Sequence, residues 1–304
     1  MSSLQLVKEN DVVLDPHIKS YQDAIGLQFL AIENDLATAT IALQGAHVMS
    51  WQPKHAADPV LWLSENARYV HGRSIRGGVP VCWPWFGAHP TDSSLCPHGF
   101  ARVMPWELID SSMLVNGATR LVLEIVHTPI AQKQLSYPYR LTLTIDIGET
   151  LRLTLATTNL GSQPFVLGEA FHTYFQVSDV AQVVITGLEG GEYADKLMAY
   201  ERYTQQSAIK FNGEFDRVYV NTKAGCVIED PGLNRTIRIA KTGSNSTVIW
   251  TPWEEKAHEL SDIGPGDSWR KMICVESANA MENMVFISPN QTHELAVEYS
   301  TSDL

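Results

Sequence analysis

The sequence predicts an all-β protein, a large antiparallel β-sandwich with a few short helices. Apolar and polar residues alternate along many short runs, turn residues separate these runs, and clear helical patterns are rare. Strands with this spacing favour a sandwich over alternating βαβ units. No linker rich in proline, glycine or serine divides the chain, and all-β folds of about 250 residues often form one domain. Residues 1–304 are therefore expected to form a single domain.

The predicted strands follow one another along most of the chain. Residues 38–51 alternate on both sides of Gly45, which predicts a strand, a bend and a second strand. The sequence Gly-Glu-Thr at 148–150 is typical of a tight connection between antiparallel strands. Helical character is clearest at 254–260. The strands predicted beyond residue 51 are 120–128, 139–147, 151–159, 181–188, 217–221, 236–240, 246–250 and 295–300.

Composition limits the possible partners. With 34 acidic and 22 basic side chains the net charge is −12, so the overall field repels nucleic acid and anionic membranes. An anionic small molecule can still bind where basic residues converge. No run approaches the roughly 18 apolar residues that span a bilayer, and residues 1–15 lack a signal-peptide pattern. We expect a cytoplasmic, monomeric protein without nucleic-acid or membrane partners.

Several kinds of chemistry have no motif in this sequence. The four cysteines lack CxxC spacing and are expected to be reduced. His258-Glu259 has no second histidine for a zinc-binding HExxH motif, and neither a nucleotide-binding glycine loop nor a GxSxG serine motif is present. The sequence therefore predicts no metal ion and no cofactor.

Residues 73–102 concentrate glycine, proline, aromatic and ionisable side chains. Two prolines and three glycines between 77 and 87 predict a shaped loop whose backbone can approach a ligand. Its aromatic rings, Trp85 among them, suit stacking on the apolar face of a sugar, although any one such ring is more often a core residue than a ligand contact.

Arg76 and Arg102 lie at opposite ends of this loop. If they converge, their guanidinium groups suit a phosphate, because each donates two hydrogen bonds with matching geometry. Each could equally be a surface arginine or a structural ion pair.

Two further segments carry candidate proton-transfer groups. His172 lies in an aromatic stretch that alternates like a strand, and histidine exchanges protons readily near neutrality. Glu276 follows an apolar strand-like run, with the small residues Cys274 and Ala278 on the same face. A carboxylate in such a strand needs a partner or a function, because burying its charge costs free energy. A hydrogen-bonded core histidine and a structural ion pair are the alternatives.

Several of these segments resemble the glucose-6-phosphate 1-epimerase branch of the aldose 1-epimerase superfamily, in order and approximate spacing. The resemblance extends from residues 43–51 to the C-terminal strand. The segments are RGGVPVCWPWFG (76–87), HGFAR (98–102), FHTYF (171–175), DRVY (216–219), LNRTI (233–237) and CVESANA (274–280).

The resemblance implies a galactose mutarotase-like supersandwich and an isomerase that interconverts the α and β anomers of glucose 6-phosphate. It implies that His172 is the catalytic acid and Glu276 the catalytic base. It also implies that Arg76, His98 and Arg102 hold the sugar phosphate, and that Asp216 hydrogen-bonds sugar hydroxyls.

Other functions are compatible with the same residues. An aldose 1-epimerase acting on unphosphorylated hexoses would need the same His–Glu pair, and the two arginines favour the phosphorylated substrate. A non-catalytic carbohydrate-binding sandwich would keep the aromatic residues without needing the pair. A glycoside hydrolase would typically need two carboxylates flanking a longer cleft.

Overall fold

The computed structural model describes residues 15–304. The expectation about a signal-peptide pattern rests on the N-terminal residues, of which 1–14 lie outside the described residues. Within 15–304 the chain forms twenty-two strands, two short α-helices and five short 3-10 helices. No helix in this range is long and apolar enough to cross a membrane.

The elements have the following bounds. The strands are β1 (Ile18–Gln22), β2 (Gln28–Glu33), β3 (Ala37–Ala42), β4 (His47–Pro53), β5 (Val81–Cys82), β6 (Trp106–Met113), β7 (Thr119–Ile125), β8 (Tyr139–Ile147), β9 (Leu151–Asn159), β10 (Phe165–Leu167), β11 (Glu169–Phe171), β12 (Tyr174–Gln176), β13 (Val184–Thr186), β14 (Glu192–Asp195), β15 (Glu201–Thr204), β16 (Phe215–Tyr219), β17 (Cys226–Asp230), β18 (Arg235–Thr242), β19 (Ser246–Thr251), β20 (Met272–Asn279), β21 (Val285–Ile287) and β22 (Thr292–Asp303). The α-helices are α1 (Pro129–Gln134) and α2 (Trp253–Glu259), and the 3-10 helices are Ala101–Val103, Lys196–Met198, Pro231–Leu233, Ser268–Lys271 and Met281–Asn283.

Two antiparallel eight-stranded sheets form the body of the molecule. Sheet A has the strand order β13-β17-β18-β22-β9-β8-β7-β6. Sheet B has the order β15-β14-β16-β19-β20-β11-β5, and β12 also pairs with β20. A four-stranded meander, β1 to β4, and the pair β10–β21 complete the described strands. This is the all-β sandwich that the sequence predicts.

The hairpin β8–β9 illustrates how the sequence builds sheet A. Both strands have the predicted bounds, and the turn between them is the predicted 148–150. Every second side chain is apolar and buried, with Leu141, Ile145 and Leu153 fully enclosed. Burying a leucine or isoleucine stabilises the fold by about 1.5–3 kcal/mol. Alternation in the sequence therefore directs one face of each strand into the core.

The two sheets share one core. Phe175 of β12 packs edge-on against Tyr299 of β22, with ring centroids 5.1 Å apart. Trp83, in the loop after β5, is fully buried and donates its indole N–H to Thr157 Oγ1 of β9 at 3.0 Å. The loop that begins at Arg76 is thereby anchored to sheet A.

Most predicted elements are confirmed, with local differences in length. Residues 38–51 form β3 and β4 around the Gly45 bend, and the helix expected at 254–260 is α2. The strand expected at 181–188 is reduced to β13, residues 184–186. The strand ends there because the next residue, Gly187, has a φ of +102°, which lies outside the strand region. A Cβ on Gly187 would lie 2.4 Å from the carbonyl oxygen of Gly225, so this position requires glycine. All four cysteines are unpaired, as predicted.

Candidate active site

Neighbouring strands of sheet B bring together the histidine and the glutamate that the sequence analysis singles out. Phe171 at the end of β11 pairs with Ser277 of β20, so the next position on each strand brings His172 level with Glu276. His172 Nε2 lies 3.4 Å from Glu276 Oε1. Their side chains are 12% and 2% exposed, respectively. Antiparallel register therefore assembles this pair from two distant segments.

The strand that carries Glu276 is buried along its whole length. β20 pairs with β19 on one side and with β11 and β12 on the other. Ligand atoms of His172, Cys274 and Glu276 all lie within 4.8 Å of one another, which confirms that Cys274 shares the face of Glu276. Small neighbours on this face leave Glu276 accessible to His172.

Burial shifts the proton affinities of both members of the pair. Burial and the nearby Asp216 carboxylate raise the pKa of Glu276 well above 4.5, although Lys196 and Arg102 oppose this shift. Burial, His98, Arg102 and Arg76 lower the pKa of His172 well below 6.5. Each group alone thus favours its neutral form, so the pair together retains one proton near neutrality.

The donor set of His172, Cys274 and Glu276 fits proton transfer better than a resident metal. A metal-bound cysteine must be a thiolate. Burial and the neighbouring Glu276 raise the pKa of Cys274 well above its ordinary value of 9.0, which keeps the thiol protonated. The positive charges of Arg76 and Arg102, which lower the pKa of His172, would also oppose a cation there.

Aromatic rings and one arginine orient the imidazole of His172. Tyr174 stacks on it almost in parallel, with centroids 5.0 Å apart and an interplanar angle of 8°. Arg76 Nη1 donates to the Tyr174 hydroxyl at 2.8 Å, and Arg76 Nη2 lies 3.1 Å from Asp262 Oδ1. Tyr174 and Asp262 together raise the pKa of Arg76, although burial opposes them. The structural ion pair considered for Arg76 is therefore present, within hydrogen-bonding reach of the site.

The segment from His98 to Arg102 completes the other side of His172. The rings of His98 and His172 meet edge to face at 5.6 Å. Burial and the charges of Arg102, Lys196 and Arg76 lower the pKa of His98 to about 3, so it is neutral at physiological pH. Its Nδ1 accepts the Gly87 N–H at 3.3 Å, which leaves the ring proton on Nε2 as a hydrogen-bond donor.

Arg102 is the least engaged cation of the site. Its Nη2 donates to the backbone oxygen of Pro97 at 2.7 Å. Among residues 15–304 it has no carboxylate within ion-pair distance, unlike Arg76 and Lys196. Its charge acts on His98, His172 and Glu276. Arg102 therefore has free donors for an anionic ligand.

Asp216 lies on β16 and forms an ion pair with Lys196 from a neighbouring turn. Asp216 Oδ2 accepts from Lys196 Nζ at 2.6 Å, and Lys196 is about half exposed in the turn between β14 and β15. Burial raises the pKa of Asp216 against the opposing effect of Lys196. The charges of Asp216 and Lys196 both act on Glu276, which places this pair at the edge of the site.

Trp85 occupies a different environment from the other candidates. It is 7% exposed, donates its indole N–H to the Cys96 backbone oxygen, and packs edge-on against Phe100 at 5.9 Å. Phe86, its neighbour, contacts the ring of His98 at 4.9 Å. Stacking of a sugar on Trp85 stays a prediction, and the adjacent Phe86 is the loop aromatic in contact with a site histidine.

The structure adds residues that the sequence did not single out. Lys196 lies in an exposed turn without periodicity, and Asp262 follows α2 in an irregular segment. Their roles depend on long-range pairing, such as that of β14 with β16. Tyr174 lies in the recognised FHTYF segment, and its two-residue separation from His172 was the one available signal.

Comparison with known proteins identifies relatives of this chain. The model of the family described as aldose 1-epimerase matches residues 28–300. An Escherichia coli (strain K12) protein named "Putative glucose-6-phosphate 1-epimerase" is 34% identical over 268 residues, covering 88% of each chain. A Cenchrus ciliaris protein of the same name is 35% identical over 263 residues, covering 83% of this chain and 78% of that protein.

Solved structures extend the likeness to three dimensions. The crystal structure of "a putative mutarotase (YeaD)" from Salmonella typhimurium matches with a TM-score of 0.89 and 30% identity, covering 99% of this chain and 97% of that one. A galactose mutarotase-like protein from Clostridium acetobutylicum matches with a TM-score of 0.70 at 13% identity, covering 94% of this chain and 98% of that one. The second match supports the fold alone.

Proposed function

This chain belongs to the aldose 1-epimerase family, and from that premise we propose that it interconverts the α and β anomers of a hexose 6-phosphate. Membership makes it an isomerase. The observation that carries the substrate proposal is the His172–Glu276 pair, 3.4 Å apart, with the charges of three basic side chains acting on it. In a chain of net charge −12, such a concentration of positive charge suits an anionic sugar.

The proposed reaction needs one base and one acid. Glu276 removes the proton from the anomeric hydroxyl while His172 protonates the ring oxygen, and the bond between C1 and the ring oxygen breaks. Rotation about C1–C2 presents the other face of the aldehyde, and the two groups then act in reverse. The pair begins with one proton and ends with one proton, so each turnover restores it.

The phosphate would lie near His98. Arg102, Lys196 and Arg76 all act on His98 electrostatically, and Arg102 has donors without carboxylate partners among residues 15–304. Arg76 is already bonded to Tyr174 and Asp262, so it would contribute mainly charge and orientation. Binding energy at the phosphate would orient the ring between His172 and Glu276.

Relaxation of anomers tests the proposal directly. Freshly dissolved α-glucose 6-phosphate is followed to equilibrium by NMR, with the protein, its Glu276→Gln variant and a Glu298→Gln variant as the matched control on the exposed face of β22. We expect acceleration that disappears only in Glu276→Gln. A parallel series with free glucose distinguishes a phosphate-specific enzyme from one acting on unphosphorylated hexoses.

The other outcomes identify the competing functions. Equal acceleration of both sugars would favour the unphosphorylated-hexose epimerase. Sugar binding by the unmodified protein without any acceleration would favour the carbohydrate-binding module.

The organisation of the protein is also part of the proposal. We propose a single-domain monomer in the cytoplasm, without nucleic-acid or membrane partners and without a metal or cofactor. One shared core beneath both sheets supports the single domain. Light scattering on a gel-filtration column, and fractionation of cells that express the protein, would test the oligomeric state and the location.

A further inference from the structure

A second buried polar cluster lies at the far end of the two catalytic strands. Glu169 and Asn279 are fully buried, and the side chain of His293 is 21% exposed. Glu169 Oε1 accepts from Asn279 Nδ2 at 2.8 Å and lies 2.8 Å from His293 Nε2. The reaction proposed above gives none of these groups a role.

The cluster connects four segments of chain. Asn279 Nδ2 also donates to the backbone oxygen of Gly243 at 2.7 Å, and its Oδ1 accepts the Asn245 N–H at 2.9 Å. Glu169 opens β11, Asn279 closes β20, and His293 lies on β22. The turn between β18 and β19 is held by the same amide.

The hydrogen bond between Glu169 and Asn279 joins the side chains of two directly paired residues of β11 and β20. His172 follows the end of β11, three residues after Glu169, and Glu276 lies on β20 three residues before Asn279. A slip of one residue would send side chains to the opposite face of the sheet. The separation between the acid and the base therefore depends on this register.

A buried carboxylate contributes little to stability, but it can specify which arrangement of strands forms. A buried ion pair often contributes no more stability than apolar side chains packed in its place. Holding two segments in one register, by contrast, is a documented use of buried polar groups. Burial opposes protonation of His293, yet the hydrogen bond and charge of Glu169 raise the pKa of His293, which favours the protonated imidazole.

We propose that Glu169, Asn279 and His293 are positioning residues, which hold β11 and β20 in the register that sets the distance between His172 and Glu276. The proposal rests on the function proposed above for its kinetic consequence. None of the three contacts the reacting atoms, so they act through the catalytic pair.

A matched pair of asparagine variants separates positioning from stability. Asn34 is also buried, donates through Nδ2 to Thr119 and Ile147, and accepts two backbone N–H groups, but it joins β2 to β3 away from the site. Asn279→Ala and Asn34→Ala are both expected to lower the melting temperature. Because a misplacement of about 1 Å can reduce a rate by about 100-fold, only Asn279→Ala should lower kcat strongly, with KM little changed.

His293 provides a milder test. His293→Ala should lower kcat, and His293→Gln should restore much of it, because a glutamine amide still donates to Glu169. Equal kcat values for the two variants and the unmodified protein would overturn the proposal. So would equal losses in Asn279→Ala and Asn34→Ala when both are folded.

An NMR readout keeps this test independent of the proposed reaction. The ring resonances of His172 report its distance from Glu276, and they should shift in Asn279→Ala but not in Asn34→Ala. If the unmodified protein accelerated the interconversion of no anomer, the proposed function would be refuted. The NMR measurement on His172 would still test the positioning role of Asn279. Unchanged His172 resonances in Asn279→Ala would overturn the positioning alone.

Discussion

At His172 and Glu276, a neutral imidazole beside a protonated carboxyl group holds as many protons as an imidazolium beside a carboxylate. The pKa directions favour the first arrangement for each group alone, whereas the proposed chemistry begins from the second. The two differ by the transfer of one proton across 3.4 Å, without a change of net charge. Coupled sites of this kind titrate as a pair.

The rate should therefore depend on pH as a bell. Adding a second proton to the pair leaves no base, and removing the last one leaves no acid. Burial disfavours both charged outcomes, so we expect a broad plateau around neutrality. The measurement is kcat/KM for glucose 6-phosphate against pH, after subtraction of the uncatalysed rate. A flat profile across the range in which both groups titrate would contradict these roles.

Arg102 should determine the preference for phosphorylated sugars. Its hydrogen bonds to a phosphate would be charge-assisted, each contributing about 1.5–3 kcal/mol. Arg102→Met should therefore lower kcat/KM for glucose 6-phosphate by about 10- to 100-fold, with a much smaller loss for free glucose. Arg73→Met, at an exposed arginine of the same region, is the control. Equal losses on both sugars would refute the phosphate role of Arg102.

At the level of elements, two glycines of the loop give a matched test of its shape. Gly87 and Gly99 both have a φ of +73°, so alanine is strained at either position by about 1–2 kcal/mol. A Cβ on Gly99 would lie 2.0 Å from the Trp83 oxygen, whereas nothing lies within 4 Å of one on Gly87.

Gly99→Ala should consequently displace the segment that carries His98 and Arg102. We expect activity to fall by about 100-fold, compared with a small loss in Gly87→Ala. Anomer relaxation and thermal melting of both variants measure the effect. Similar activity in the two would show that the backbone near Trp83 can adjust without disturbing the site.

The sequence predicts an element best where its side chains alternate without interruption. The bounds of β8 and β9 follow from regular burial of every second residue. β14 and β15 were missed because neither strand alternates: β14 is buried at three consecutive residues, and β15 is exposed throughout. Lys196 escaped for the same reason, since its contact with Asp216 arises only when β14 pairs with β16.

The catalytic pair itself was only half predictable. An ionisable residue in an apolar run indicates that Glu276 is unusual, but its partner depends on how β11 meets β20. That register involves buried contacts at Glu169 and Asn279 that no local pattern encodes. The facing of His172 and Glu276 was implied by the family resemblance rather than by periodicity.

At the scale of the whole molecule, buried histidines should make the fold sensitive to acid. His47 is fully buried, and burial lowers its pKa from 6.5 to about 4, although its hydrogen bond to Gly77 opposes the shift. The unfolded chain therefore binds a proton more readily than the folded one. The contribution is complete above pH 6.5 and is lost as the pH falls towards 4.

This loss amounts to about 3 kcal/mol, from 1.36 kcal/mol per unit of pKa shift. Urea denaturation at pH 7 and pH 4.5 measures it, with His47→Gln as the comparison because glutamine does not titrate. The difference in unfolding free energy between the two pH values should be smaller in the variant. An identical pH dependence would assign the acid sensitivity to other groups.

Glu276 lies in the middle of a strand enclosed on both edges and both faces. Amide hydrogens in such a strand exchange with solvent mainly when the entire domain opens. The machinery for proton transfer is thus part of the most protected unit of the protein, rather than of a mobile lid or a peripheral loop. Loss of activity in denaturant and global unfolding should therefore be one cooperative event, so that turnover itself reports the folded population.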